Sequence, residues 1–248
     1  MQTPTLRLPS DTLVLIPALN EEEALPITLK VLLEYVDAHN VLVISDGSRD
    51  RTVQIARESG VGVLELPINV GVGGAVRAGM RFAARNNFNY AIQFDADLQH
   101  DPKFLMPIRQ ELERCDVVVG SRFLRSNPYK ISPARRFATW ILSGAVSRRV
   151  GMHLTDVTSG YRGAGREAIA IFNLEYPSQY LADTVESLVL CHDRGLVIRE
   201  ISTPMNQRIA GNVSHGIWKS TLHLFRVMLV LVSTFQFKLN KSNERVGL

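Results

Sequence analysis

The chain has 248 residues, 46% of them hydrophobic, enough for one large α/β domain with an extension. Its two cysteines, Cys115 and Cys191, stand far apart among apolar residues, which excludes a disulfide framework or a cysteine metal site and makes a reducing compartment the default. The net charge of +4 hides an asymmetry: Met1–Ser121 carries 11 Lys/Arg against 16 Asp/Glu, whereas Arg122–Leu248 carries 17 against 8.

No basic-then-apolar signal segment opens the chain. The first half alternates short apolar runs with amphipathic stretches. Strands are predicted at Thr12–Ile16, Val41–Ser45, Val61–Leu66, Tyr90–Phe94 and Asp116–Gly120. Helical periodicity fills the intervals at Glu21–Ala38, Asp50–Ser59, Gly73–Asn86 and Pro102–Glu113. Continuous apolar strands separated by helices of this length predict an α/β fold, a mostly parallel sheet covered on both faces. In such a sheet ligands bind beyond the carboxyl ends of the strands. The polar clusters that follow the runs are Pro17–Glu21, Asp46–Asp50, Pro67–Gly74, Asp95–Asp101 and Ser121-Arg122, and they are expected to share one rim.

The second half is less regular. Pro133–Val150 reads as a basic helix, Asp156–Arg166 as a Gly-rich loop, Tyr180–Arg194 as a helix, Val197–Ile201 as a strand and Thr203–Gly216 as a loop. Leu222–Leu239 is the last helix candidate. Its uninterrupted apolar core, Val227–Val232, is far too short to span a bilayer, which needs about 20 apolar residues. An amphipathic helix lying against a membrane or a partner protein is expected, and packing on the chain's own core is the plain alternative.

Asp95-Ala96-Asp97-Leu98-Gln99 carries the most chemistry. Two carboxylates one residue apart, just past a strand end, can converge on one divalent cation. Hard oxygen ligands suit Mg²⁺ or Mn²⁺, which usually complete their shells with waters and substrate phosphates, so the motif suggests an enzyme handling a diphosphate; taken alone, a solvated turn is the competing reading. Asp46-Gly47-Ser48 and Asp50 follow the second strand, where an Asp can accept hydrogen bonds from a base or ribose; a turn with a helix cap is the competing reading. Asn69-Val70-Gly71-Val72-Gly73-Gly74 opens a helix and lets backbone N–H groups approach a phosphate. It is neither of the two familiar nucleotide motifs: Val76 stands where a dinucleotide fingerprint needs its third glycine, and there is no Gly-Lys-Ser/Thr. Between Arg122 and Arg166 nine basic residues face one acid, Asp156. That block points to an anionic partner, either a phosphorylated lipid or an anionic membrane surface, with a merely solvated basic face as the plain alternative. Without interleaved aromatics or a known nucleic-acid motif, no nucleic-acid partner is expected.

These motifs, taken in order, resemble those of family-2 glycosyltransferases with a GT-A fold: Val14–Glu21, Ser45–Ser48, Asn69-x-Gly71-x-Gly73-Gly74 and Asp95–Pro102. Gly120-Ser121-Arg122, Arg135-Arg136, Asp156–Arg162 and Asn206–Ser214 extend the similarity toward the dolichol-phosphate mannosyltransferase-like, polyprenyl-phosphate glycosyltransferase branch. The resemblance implies a Rossmann-like GT-A catalytic domain over 1–215, with a nucleotide-sugar half at about 12–121 and an acceptor half at about 122–215. An amphipathic helix and polar tail would occupy 216–248. It implies that Pro17, Leu19, Glu21, Ile44, Asp46 and Asp95 line the donor pocket, and that Asp95, Asp97 and Gln99 hold Mg²⁺ or Mn²⁺. Arg122, Arg135, Thr139 and Arg208 would bind the acceptor phosphate, with Asp97 and the three arginines catalytic.

The implied reaction is inverting transfer of a hexose from a GDP- or UDP-sugar to a polyprenyl or dolichyl phosphate. A phosphate monoester, with its second pKa near ~6, is already a nucleophile and needs no carboxylate base. A saccharide or glycolipid hydroxyl acceptor would need one, with Asp156, Asp183 and Glu186 as candidates; Asp156 is expected instead to orient Arg162 or the Thr158-Ser159 loop. A non-catalytic nucleotide-sugar-binding subunit is the third alternative. Many relatives carry transmembrane helices after the catalytic domain. Here either the last helix is the whole anchor or a separate small membrane protein supplies one, and the protein is expected to be cytoplasmic and peripheral at the inner membrane face.

Overall fold

The computed structural model describes residues 7–124, 133–177 and 182–206, with the side chains of residues 133–135 and 182 outside that set. The C-terminal helix expected at Leu222–Leu239 and the expected phosphate-binding Arg208 lie beyond the described residues, as does the side chain of Arg135.

Seven strands form one sheet: β1 (Thr12–Ala18), β2 (Val41–Ser45), β3 (Gly62–Glu65), β4 (Tyr90–Gln93), β5 (Val117–Ser121), β6 (Arg162–Ala164) and β7 (Ile198–Ser202). Their spatial order is β3-β2-β1-β4-β6-β5-β7, and every pairing is parallel except the two made by β6. The helices are α1 (Leu25–Leu32), α2 (Thr52–Glu58), α3 (Gly71–Arg85), α4 (Leu105–Glu111), α5 (Pro133–Val150), α6 (Arg166–Glu175) and α7 (Ala182–Asp193). The expected mostly parallel α/β sheet is therefore present.

Strand alternation builds two cores. Leu13, Leu15, Leu42, Ile44, Val117 and Val119 face one way, against α3, α5, α6 and α7. Val14, Ile16, Val43, Ile92, Phe94 and Val118 face the other, against α1, α2 and α4. Both faces are covered, which is why the strands read as unbroken apolar runs rather than alternating ones.

Two elements inside or beside the expected Asp156–Arg166 loop depart from the sequence reading. Residues 162–164 form a strand inserted between β4 and β5, and α6 follows at once. Three residues of sequence Arg-Gly-Ala offer no periodicity to detect. Its middle residue is Gly163 because a Cβ there would lie 2.6 Å from Ile108 Cγ2 and 2.8 Å from Leu112 Cδ1. The reversal matters for the site. Because β6 runs against its neighbours, the loop leading into it opens on the rim where β1, β2, β4, β5 and β7 end. Asp156–Tyr161 thus joins the ligand edge of the sheet.

Candidate active site

The Asp95–Gln99 turn begins where β4 ends. Asp97 is 3% exposed, and its Oδ1 accepts the Gln99 backbone N–H at 3.0 Å. Between them Leu98 has φ +57°, in the left-handed region. Apolar side chains occupy that region rarely, and where they do the surrounding structure must hold them there. The buried Leu98 side chain and a bond from Asn206 N–H to Gln99 O (2.9 Å) do so. Asn20, in the loop after β1, also has positive φ (+54°). It is laced to the loop after β2, its N–H donating to Ser48 Oγ and its Oδ1 accepting from Arg49 N–H.

His100 closes the acidic turn. Its Nδ1 accepts the Asp95 N–H at 3.0 Å, so the ring proton sits on Nε2, 3.3 Å from Asp95 Oδ2 though out of line for a hydrogen bond. Burial lowers the His100 pKa, against the opposing pull of Asp95 and Asp97, and keeps the ring neutral. Tyr161 stacks on it with centroids 4.4 Å apart and planes 9° apart, and Phe94 meets it edge-on. The sequence contained His100 within the acidic motif but gave no signal of this role.

The loop leading into β6 lies against the same turn. A Cβ on Gly160 would stand 3.2 Å from Gln93 Nε2 and 3.6 Å from Asp95 Oδ1, so this backbone lies beside the end of β4 and its carboxylate. Ser159 Oγ donates to Gly120 O at 2.6 Å, which ties the loop to the end of β5. There Arg122 meets Asp156: Nε–Oδ2 is 2.6 Å and Nη2–Oδ1 is 2.7 Å, and Arg122 N–H also donates to Oδ2. Arg122 Nη2 further donates to Thr158 Oγ1 at 2.8 Å. Glu200 on β7 accepts the backbone N–H groups of Thr155 and Asp156, and burial raises its pKa. Asp156 therefore orients Arg122 and Thr158, not Arg162. Arg162 is held by the carbonyls of Val157, Ser159 and Thr184 and by Ser187 Oγ. Asp156 and Tyr161 stand at the two ends of this loop, Asp156 gripping Arg122 and Tyr161 stacked on His100, which brings the acidic turn and the arginine pair onto one loop.

The expected donor residues are distributed around the first two loops. Pro17, near the end of β1, and Leu19, just past it, are half-buried, and Asp46 is 4% exposed at the end of β2. Asp46 Oδ1 accepts the Val70 N–H at 2.7 Å, drawing the glycine-rich loop against the second loop. Gly47 permits this contact: its φ is +73°, and a Cβ would lie 2.9 Å from Asn69 N. Glu21 N–H donates to Thr52 Oγ1 at 2.8 Å. Ile44 sits deeper, fully buried against α3 in the core. Thr139 is 4% exposed on α5. Asp183, on α7, has its pKa pushed up to about 6, chiefly by burial, while Arg162 and the Thr184 N–H pull it down.

Among the described residues, no group of three or more His, Cys, Asp or Glu side chains gathers into a metal cluster. The acidic turn instead offers two carboxylates and one amide. This hard-oxygen donor set, too small for a closed cage, fits a Mg²⁺ or Mn²⁺ ion that takes its remaining ligands from water and phosphate.

The fold is that of the GT-A glycosyltransferases. It superposes on glucosyl-3-phosphoglycerate synthase from Mycobacterium tuberculosis, solved with Mn²⁺, uridine diphosphate and glucosyl-3-phosphoglycerate, at a TM-score of 0.67 and 21% identity, covering 89% of this chain and 79% of that one. The chain belongs to glycosyl transferase family 2, whose model matches residues 13–172. It is 32% identical to an undecaprenyl-phosphate mannosyltransferase from Micrococcus luteus, over 66% of this chain and 70% of the relative. A dolichyl-phosphate beta-glucosyltransferase from Trichomonas vaginalis is 28% identical over 86% of this chain and 71% of the relative.

Proposed function

We propose that this glycosyltransferase moves a hexose from a nucleotide-sugar to a polyprenyl or dolichyl phosphate, with inversion, at the cytoplasmic face of a membrane. The observation that carries the reading is the sharing of one rim by the acidic turn and the Arg122–Asp156 pair. The two relatives named for prenyl-phosphate acceptors support it.

Pro17, Leu19, Glu21 and Asp46 frame the donor nucleotide, with Ile44 backing them from the core. Asp95, Asp97 and Gln99 hold Mg²⁺ or Mn²⁺, which when bound neutralises charge on the departing diphosphate. His100 sets the position of Asp95 through the bond from the Asp95 N–H to its Nδ1. Arg122 receives the acceptor phosphate with Arg135, Thr139 and Arg208. Because Asp156 grips its guanidinium in a bidentate fork, the plane of Arg122 is fixed before the phosphate arrives. The acceptor is ionised at neutral pH, so the site needs positioning and charge rather than a base.

A test uses purified protein, Mn²⁺, a panel of GDP- and UDP-sugars, and a short polyprenyl phosphate beside a saccharide acceptor. Transfer to the prenyl phosphate from one donor is the expected result. Transfer to the saccharide alone would overturn the acceptor assignment. Asp183, whose pKa is pushed up to about 6, would then be the first carboxylate to test as base.

A further inference from the structure

We propose that Thr203–Asn206 is a strap that fixes the spacing between the acidic turn and the Arg122–Asp156 pair, with Pro204 as a positioning residue for sugar transfer. The proposal rests on the function proposed above for the identity of the two substrates, though not for the strap itself.

The sheet stops short of both charge sites. β4 and β5 are joined through β6, and that ladder ends where Arg162 pairs with Gln93 on one side and Val119 on the other. Asp95 stands two residues beyond Gln93, and Arg122 three beyond Val119. The loop Asp156–Tyr161 crosses the gap between them. The segment after β7 crosses it too, as four residues of sequence Thr-Pro-Met-Asn.

Both ends of that segment are tied. Thr203 N–H donates to Ser121 O at 2.9 Å, one residue before Arg122. Thr203 is buried and seated over Gly120, where a Cβ would lie 2.6 Å from the Thr203 Oγ1. At the other end Met205 bridges antiparallel to His100, and Asn206 donates its N–H to Gln99 O at 2.9 Å and its Nδ2 to Leu98 O at 3.5 Å. Three peptide steps reach at most about 10 Å. A tether of that length, anchored at Ser121 and at Gln99, limits how far the acidic turn can drift from the end of β5. Pro204 stands exposed in the middle, where its ring locks φ and removes a torsion from the tether.

Sugar transfer needs this control of distance. Donor and acceptor phosphate are held by different sites, and the attacking oxygen must stand about 3–3.5 Å from the sugar carbon. A misplacement of about 1 Å can lower the rate about 100-fold while each ligand still binds. Spacing is therefore read in turnover and not in either affinity.

The test uses full-length protein. Pro204→Gly loosens the strap midway without removing an anchor, and a glycine inserted between Pro204 and Met205 lengthens it by up to about 3.5 Å. Turnover at saturation is compared with calorimetric Kd values for Mn²⁺–nucleotide and for a short prenyl phosphate. The proposal predicts that kcat falls about ten-fold in Pro204→Gly and about 100-fold in the insertion variant, with both Kd values of Pro204→Gly within a factor of about 2 of wild type. In ligand-free Pro204→Gly the amides of residues 95–101 should exchange with deuterium about ten-fold faster, while the melting temperature drops by no more than about 4 °C. Should the insertion variant not fold, Pro204→Gly alone decides. Unchanged kcat in Pro204→Gly would overturn the proposal, and so would a loss of turnover that weakened binding of either ligand accounts for. Unchanged exchange at residues 95–101 would show that the strap does not hold the turn, and would overturn it whatever the acceptor. If wild-type protein transfers sugar only to a saccharide, and kcat on that acceptor falls as predicted, the strap stands and the prenyl-phosphate reading alone is lost.

Discussion

Arg122 and Asp156 form a two-pronged ion pair inside the protein, with Nε–Oδ2 at 2.6 Å, Nη2–Oδ1 at 2.7 Å and the carboxylate fully buried. They come from loops 34 residues apart that meet only because β6 runs backwards in the sheet. Removing one partner leaves the other charge buried without compensation. Asp156→Ala should therefore cost about 3–5 kcal/mol of stability, read from denaturant midpoints. Asp156→Asn keeps hydrogen bonding and the fold. It should lower kcat/KM for the acceptor about ten-fold while leaving nucleotide affinity unchanged.

The acidic turn predicts metal dependence. Chelation should abolish transfer, and Mn²⁺ or Mg²⁺ should restore it. Asp97→Ala should lower kcat by about 100-fold or more, with thermal stability measured in parallel to exclude unfolding.

His100 acts on the turn through Asp95. His100→Phe preserves an aromatic ring against Tyr161 but removes the Nδ1 acceptor for Asp95 N–H. Mn²⁺-dependent nucleotide binding, measured by calorimetry, should weaken about 10–100-fold, while binding of the acceptor phosphate stays within a factor of about 2.

Asp183 gives a pH signature of its own. Burial pushes its pKa up to about 6 from the ordinary 3.8, with Arg162 opposing the shift. The folded protein holds that proton to higher pH than the unfolded chain does. Stability from this group is therefore full below about pH 4, falls as pH rises to about 6, and stays reduced above. Asp183→Asn removes the deficit. It should stabilise the protein by up to about 3 kcal/mol at roughly pH 8 and leave it unchanged near pH 4, measured by urea unfolding.

Much of the sheet was legible because β1, β2, β4 and β5 are doubly covered and hence continuously apolar. Val41–Ser45 matches its predicted strand residue for residue, and Tyr90–Gln93 misses only the final Phe94. The place of the acidic turn just past β4 was legible because it is local: five consecutive residues after an apolar strand hold all three expected ligands. The Arg122–Asp156 pair was not, since nearness along the chain pointed Asp156 to Arg162 or the Thr158-Ser159 loop, and only the β6 reversal brings Arg122 to it. His100 was unreadable for a similar reason. Its partner Tyr161 is 61 residues away in sequence, and stacking leaves no pattern along the chain. Helix ends were the weakest part: α1 covers Leu25–Leu32, where periodicity suggested Glu21–Ala38, because the loops after β1 and β2 take its first residues for their own hydrogen bonds.

The central claim is that one rim carries two separable charge sites, acidic for the metal-bound donor and cationic for the acceptor phosphate. Calorimetric titration of Mn²⁺–nucleotide and of a short prenyl phosphate into wild-type, Asp97→Ala and Arg122→Lys protein tests it directly. Arg122→Lys keeps the buried positive charge but loses the bidentate fork. The predicted result is a crossed pattern, in which Asp97→Ala loses the nucleotide and keeps the prenyl phosphate while Arg122→Lys does the reverse. Loss of both ligands in each folded variant, or of neither, would contradict it.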